Sequence, residues 1–270
     1  MSLRAARDCW KLGGKVGGRK RAGRWAWRVG LVLLLYVVYT AARSWVLLAN
    51  TRALLIVADR FPRDYWVGLP SGRRFTYVVM GDSTALGQGA TIVQRTCAYQ
   101  VAQTLAVRGF RVHVVNLAVS GSLLHEVLRD QAPRLRELHP DLVSISIGAN
   151  DATHRTALEG YGRELNSLMD QVYQCKAWLI LATTPDMYQT PALPWPLAWE
   201  TGRRARRQNR FLSPQLSFRR VHYVDLYGHG KLIYRTDPSL YASDFFHPSD
   251  AGYAVWGGLF VNALLSRNGA

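Results

Sequence analysis

From residue 75 onward, five short runs rich in β-branched and aromatic residues alternate with longer segments of helical spacing. The runs fall at 75–80, 112–116, 142–147, 178–183 and 221–225, each bounded by Gly, Pro, Asn or Asp. They read as strands, because branched and aromatic side chains pack well on a pleated surface. The helical segments are 91–107, 123–137, 156–174, 199–212 and 250–265. Parallel neighbours must be joined by crossovers long enough to carry a helix. The alternation therefore predicts an α/β fold with a five-stranded, mostly parallel sheet covered on both faces.

In open sheets of this kind, ligands gather beyond the carboxyl ends of the strands. Gly81-Asp82-Ser83 follows the first run, Ser120-Gly121 the second and Gly148-Ala149-Asn150-Asp151 the third. Asp244-Phe245-Phe246-His247 precedes the last helical segment. Together these segments hold the parts of a serine esterase. A serine hydroxyl is a poor nucleophile without a neighbouring base. Ser83 is the candidate nucleophile, His247 the candidate base and Asp244 the candidate group that orients it. Attack on an ester carbonyl builds negative charge on oxygen, and the N–H groups of Ser83 and Gly121 with the Asn150 amide are candidate donors. Each segment also has a structural reading: a turn, a helix cap or a helix entry. Asp82 and Asp151 read as hydrogen-bond partners within their loops.

These four blocks resemble the SGNH hydrolases, also called GDSL esterases and lipases. They stand here as Val79-Met80-Gly81-Asp82-Ser83-Thr84, Asn116-Leu117-Ala118-Val119-Ser120-Gly121, Ile147-Gly148-Ala149-Asn150-Asp151 and Asp244-Phe245-Phe246-His247-Pro248. The resemblance covers about residues 75–265. It implies a flavodoxin-like three-layer α/β/α sandwich and hydrolysis of carboxylic esters without a metal or cofactor. It makes Ser83, Asp244 and His247 the triad, with Ser83, Gly121 and Asn150 as the oxyanion hole. Two departures stand out: Thr84 replaces the Leu of the family's name, and Ser122-Leu123 replaces the Thr or Asp found after the second block in many members. Competing motifs are missing. There is no Gly-x-Ser-x-Gly elbow and no phosphate loop, Gly87-Gln88-Gly89 has no third glycine, and His125-Glu126 has no second His at zinc-protease spacing.

The net charge of +16 suggests a nucleic-acid binder until its distribution is considered. Residues 1–28 carry a net +8 and residues 201–224 a net +7, which leaves +1 for the remainder. The body is nearly neutral, and no nucleic-acid partner is expected. The basic tail precedes an apolar stretch, residues 29–49, that would span roughly 31 Å as a helix and so match a bilayer core. Trp25, Trp27 and Trp45 flank it at headgroup level, and Arg43 can snorkel. The tail should remain cytoplasmic, placing the rest outside. A cleaved signal peptide ending near Thr40-Ala41-Ala42, with secretion of the remainder, is the rival reading.

The expected organisation is a basic tail (1–28), a transmembrane helix or signal anchor (29–49), a juxtamembrane connector (50–74) and a hydrolase domain (75–270). A long connection, residues 185–215, mixes prolines with Trp195 and Trp199 and then becomes Arg-rich. Such a connection is often a lid or binding loop. Its aromatic half would contact an acyl chain, while Arg203, Arg206, Arg207 and Arg210, on one helical face, would meet anionic lipid headgroups. His154, close to the third block, is a further candidate substrate contact. Cys9, Cys97 and Cys175 show no metal or disulfide pattern; Cys97 and Cys175 read as core thiols, with pairing as the alternative after export. The expected activity is hydrolysis of a lipid acyl or O-acetyl ester. Acyl transfer to a sugar or lipid through the same acyl-enzyme, or a non-catalytic binding domain of the same fold, are the alternatives.

Overall fold

The computed structural model describes residues 16–212, 214, 220–233 and 237–266; Cys9, Arg219 and the first fifteen residues of the basic tail lie outside that set. The chain divides after Val46 into two units. Helix α1 (Val16–Ala58) begins in the first and ends in the second. Its Trp25–Ala58 portion is long and apolar enough to cross a membrane, as either an anchor or a signal sequence.

The second unit holds a six-stranded sheet in the order β1-β3-β2-β4-β5-β6. The five expected strands are β2 (Arg73–Gly81), β3 (Phe110–Asn116), β4 (Leu142–Ser146), β5 (Trp178–Ala182) and β6 (Val221–Val224), and all pair in parallel. The sixth, β1 (Asp64–Val67), pairs antiparallel with β3 at the edge. It corrects the expected count of five. Its four residues sit within the segment read as a connector, and so short a run shows no period of its own.

Alternate residues of each strand feed opposite layers. Tyr77 and Val79 of β2 join a core with α3 (Cys97–Val107) and α10 (Asp250–Leu265), built on Val101, Leu105, Tyr253 and Phe260. Val78 and Met80 join a second core with α7 (Leu158–Gln174), built on Leu165, Leu168 and Val172. Burial on both faces explains why the strands read as continuous apolar runs rather than as alternation. The layers are the expected α/β/α sandwich. The expected helix at 123–137 is broken: α4 (Leu124–Glu126), a π-helical turn over 127–131, a 3-10 turn over 132–134 and α5 (Leu135–Leu138). Pro133 lies at the break, where it withholds a backbone donor.

Three short or unforeseen helices complete the second unit: α2 (Ser83–Leu86), α6 (Ala149–Thr153) and α9 (Leu226–Ile233), with α8 (Leu197–Asn209) forming the Arg-rich segment. Cys97 and Cys175 are free thiols packed on opposite faces of the sheet, which stands between them.

Candidate active site

Strand β2 delivers its last residue, Gly81, into a polar clamp. The Gly81 N–H donates to Gln131 Oε1 at 2.8 Å, and Gln131 Nε2 donates to the Gly81 carbonyl at 2.9 Å. The chain then enters α2, whose first residue is Ser83. Asp82 caps this helix: one carboxylate oxygen accepts from the Thr84 N–H at 2.9 Å and from the Thr84 hydroxyl at 2.8 Å. The same hydroxyl lies 3.0 Å from Ser146 Oγ on β4. Thr84, where the family's name has Leu, is thus a polar brace between two strand ends. Burial pushes the Asp82 carboxyl up to about 6 despite the two bonds from Thr84 by which it caps α2.

The candidate base, His247, comes from a small hairpin. The Ala242 N–H donates to the His247 carbonyl at 2.8 Å, and the Ser249 N–H donates to that of Leu240 at 2.8 Å. Between them the chain turns tightly enough that Phe245 adopts a φ of +55°. The turn brings Asp244 and His247 inward together. The N–H groups of Phe246 and His247 donate to Asp244 Oδ1, each at 3.0 Å, and His247 Nδ1 lies 2.6 Å from Asp244 Oδ2. Burial pushes the Asp244 carboxyl up, but the bonds from the His247 ring and the two backbone N–H groups outweigh it and leave it below the ordinary value. An ionised carboxylate only accepts, so Nδ1 carries the proton and Nε2 offers its lone pair. That Nε2 lies 2.8 Å from Ser83 Oγ. Hydroxyl, imidazole and carboxylate form one hydrogen-bonded row, and all three residues are buried.

The remaining strand ends bring the candidate oxyanion donors. Ser83 is the first residue of a helix, so its N–H has no intrahelical acceptor. Gly121 follows β3 in a turn with a φ of +85°. Asn150 lies in α6, directly after β4, and its Nδ2 donates to the Ser122 carbonyl at 3.1 Å, leaving a second amide hydrogen. Asp151 adds another tie, accepting from the Leu124 N–H at 3.0 Å. Ser122 and Leu123, the second departure, are held through their backbone, by the Ser122 carbonyl and by the Leu123 N–H, which donates to Glu126 Oε2 at 2.9 Å.

The expected substrate contacts lie farther out. His154 is exposed at the end of α6, its Nδ1 2.9 Å from the Asn150 carbonyl oxygen. Trp195 is 70% exposed and Trp199 46%, with the Arg203 guanidinium 4.5 Å above the Trp199 ring. Arg203, Arg206, Arg207 and Arg210 are exposed, opposite a buried face of Ala198, Thr201, Ala205 and Gln208. A cavity of about 40 Å³ is instead walled by residues that include Thr84, Ala149, Met187, Phe246, Pro248 and Trp256. Its walls include the sequence neighbours of Ser83, Asn150 and His247. Among the described residues, no group of three or more His, Cys, Asp or Glu side chains is placed to hold a metal ion.

Sequence reasoning passed over Gln131, Gln88 and Thr51, all of which bond to the row or its loops. A glutamine in a broken helix and a threonine near the end of a long one carry no local signal for such a role.

Comparison with known proteins gives the family and the fold. Residues 79–255 match the GDSL-like Lipase/Acylhydrolase family. The chain is 30% identical over 196 residues to the GDSL-like esterase Rv1075c of Mycobacterium tuberculosis, covering 69% of this chain and 60% of that protein's length. Among solved structures, an acetylxylan esterase from Geobacillus stearothermophilus superposes with a TM-score of 0.53 at 22% identity, covering 73% of this chain and 97% of that one. A lipase/acylhydrolase from Enterococcus faecalis superposes with a TM-score of 0.51, also at 22% identity, over 73% and 100% of the two chains. At such identities the structures speak for the fold alone. The family match spans most of the chain and contains the Ser83 and Asn150 blocks: the protein belongs to the GDSL-like lipase/acylhydrolase family.

Proposed function

We propose that the protein is a serine ester hydrolase that cleaves carboxylic esters, either lipid acyl or O-acetyl, through an acyl-enzyme on Ser83. The row from Ser83 Oγ through His247 to Asp244 carries this reading. Attack by Ser83 Oγ on the carbonyl carbon sends the hydroxyl proton to His247 Nε2. The tetrahedral oxyanion takes hydrogen bonds from the N–H groups of Ser83 and Gly121 and from the Asn150 amide. On collapse the C–O bond to the alcohol breaks, and His247 gives the leaving alcohol its proton. A water molecule repeats the sequence, frees the acid and restores the serine. Asp244 stays ionised throughout and holds the imidazolium.

The N-terminal apolar helix serves as the anchor in this reading, with its basic flank in the cytoplasm and the hydrolase domain outside. The exposed Trp199, stacked under Arg203, and the arginine face of α8 suit an anionic lipid surface. The test uses the full-length protein in detergent. A fluorophosphonate probe should label Ser83 in the wild type and leave Ser83→Ala unlabelled, and p-nitrophenyl esters of increasing chain length should be hydrolysed only by the former. Hydrolysis by Ser83→Ala at the wild-type rate would end the proposal. Product analysis with added alcohols separates hydrolysis from acyl transfer.

A further inference from the structure

The end of α1 reaches the row. Leu55 and Ala58 pack against Leu86 and Ala118, behind the nucleophile's helix and the loop after β3. One turn earlier the apolar character gives way to Asn50 and Thr51, both part of the second unit. Asn50 Nδ2 donates to the Ser243 carbonyl at 2.7 Å. The Thr51 hydroxyl donates to Asp244 Oδ2 at 3.1 Å, the same oxygen that receives His247 Nδ1. The Thr51 carbonyl accepts from Gln88 Nε2 at 3.0 Å, and Gln88 Oε1 accepts from the Ser120 hydroxyl at 2.7 Å. The Tyr253 hydroxyl donates to the Gln88 carbonyl at 2.9 Å. Gln88 is fully buried, while Asn50 and Thr51 are half-buried at the edge of this hub.

Among the described residues, three of the four hydrogen bonds found at Asp244 come from its own hairpin, within three residues. They shape the turn, whose backbone is tied outward at the Ser243 and Phe245 carbonyls by Asn50 Nδ2 and the Ala192 N–H. The fourth, from Thr51, bridges 193 positions of sequence and is the one that fixes the carboxylate to another element. We infer that Thr51 is a positioning residue for the catalytic row, so that the last turns of the apolar helix complete the active site. The inference rests on the triad reading above. It also constrains processing: cleavage near Ala42 keeps the contact, whereas removal of the helix through Ala58 abolishes it.

The charged groups facing His247 are Asp244, on its own hairpin, and Asp82, at the head of α2. Removing the Thr51 hydroxyl concentrates the charge of Asp244 on the His247 bond. The imidazolium is then held more tightly, and the acid limb of kcat/KM should move to higher pH. The carboxylate also loses its tie to α1, so the imidazole is less well placed for Ser83, and kcat should fall on the order of 10–100-fold in Thr51→Val. KM should hold, because Thr51 does not reach substrate. Thr51→Ser restores the hydroxyl and should restore both rate and pH profile. If Thr51→Val does not accumulate, Thr51→Ala carries the same comparison without added volume. Full-length variants in detergent are assayed on p-nitrophenyl acetate, beside wild type and Ser83→Ala. Should Ser83→Ala keep its activity, the triad reading fails. If Ser83→Ala is inactive but Thr51→Val and Thr51→Ala match wild type in kcat and acid limb, the inference fails alone. Equal losses in the valine, alanine and serine variants would likewise overturn it, since they would point to packing rather than to the hydroxyl.

Discussion

Gly89 touches the base loop so closely that adding one methyl group should disconnect the base from the nucleophile. A Cβ on Gly89 would stand 2.2 Å from the Pro248 carbonyl oxygen, 3.2 Å from His247 Cβ and 3.3 Å from Ala242 Cβ. Carbon and carbonyl oxygen approach to roughly 3.3 Å at closest, so the 247–248 backbone must retreat by about 1 Å. The Ser83–His247 bond of 2.8 Å would then stretch beyond hydrogen-bonding range. A displacement of that size costs on the order of 10²-fold in turnover. Gly89 also has a φ of +103°, so alanine there carries about 1–3 kcal/mol of backbone strain. Gly109 separates the two effects, because its φ is +89° and nothing lies within 4 Å of its Cβ position. Both alanine variants should lose several degrees in melting temperature, at roughly 2–4 °C per kcal/mol for a domain this large. Only Gly89→Ala should lose about 10²-fold in kcat on a short p-nitrophenyl ester, measured well below its melting point. If the two variants have kcat values within threefold of each other, the base is not held where the structure puts it, and the reasoning fails.

Three further outcomes follow from the same geometry. Asn150→Ala should lower kcat on the order of 10²–10³-fold with little change in KM, as expected for an oxyanion donor; steady-state kinetics decide, and a change below threefold would remove Asn150 from that role. Asp82 has a folded pKa of about 6 against an ordinary value of 3.8, so folding favours its protonated form. The stability this contributes is full below 3.8 and lost as pH rises through 6, a span of about 3 kcal/mol. Asp82→Asn keeps the cap without the charge, so its melting temperature should exceed wild type at pH 7 and the gap should close by pH 4; a gap that is constant with pH would refute this. Replacing Arg203, Arg206, Arg207 and Arg210 together with Gln should abolish any preference for ester dispersed in anionic over neutral mixed micelles, at about 1 kcal/mol per arginine near an anionic surface; an unchanged ratio of initial rates would end the lipid-surface proposal.

Much of this architecture could be read from the chain before folding. The strands β2 to β6 announced themselves because both their faces are buried, which demands branched apolar residues in short runs bounded by turn formers. Ser83, Asn150, Asp244 and His247 stood out as candidates because each lies in a short block at a strand end or before a helix, with residue types that the proposed chemistry restricts. Other features left no local trace. Strand β1 is four residues long and gains its place only by pairing with β3. The helix over 123–137 breaks where Gln131 must meet Gly81, and that demand comes from another strand. Trp195 and Trp199 look like pocket residues by type, yet folding leaves them exposed while Met187, Phe246 and Trp256 line the cavity. Thr51 and Gln88 are ordinary polar residues until the chain end and the strand ends converge around them. Periodicity and turn chemistry act over a few residues and are written in local order. Thr51 reaches the buried Asp244 carboxylate across 193 positions by packing, and only the closed fold could bring them together.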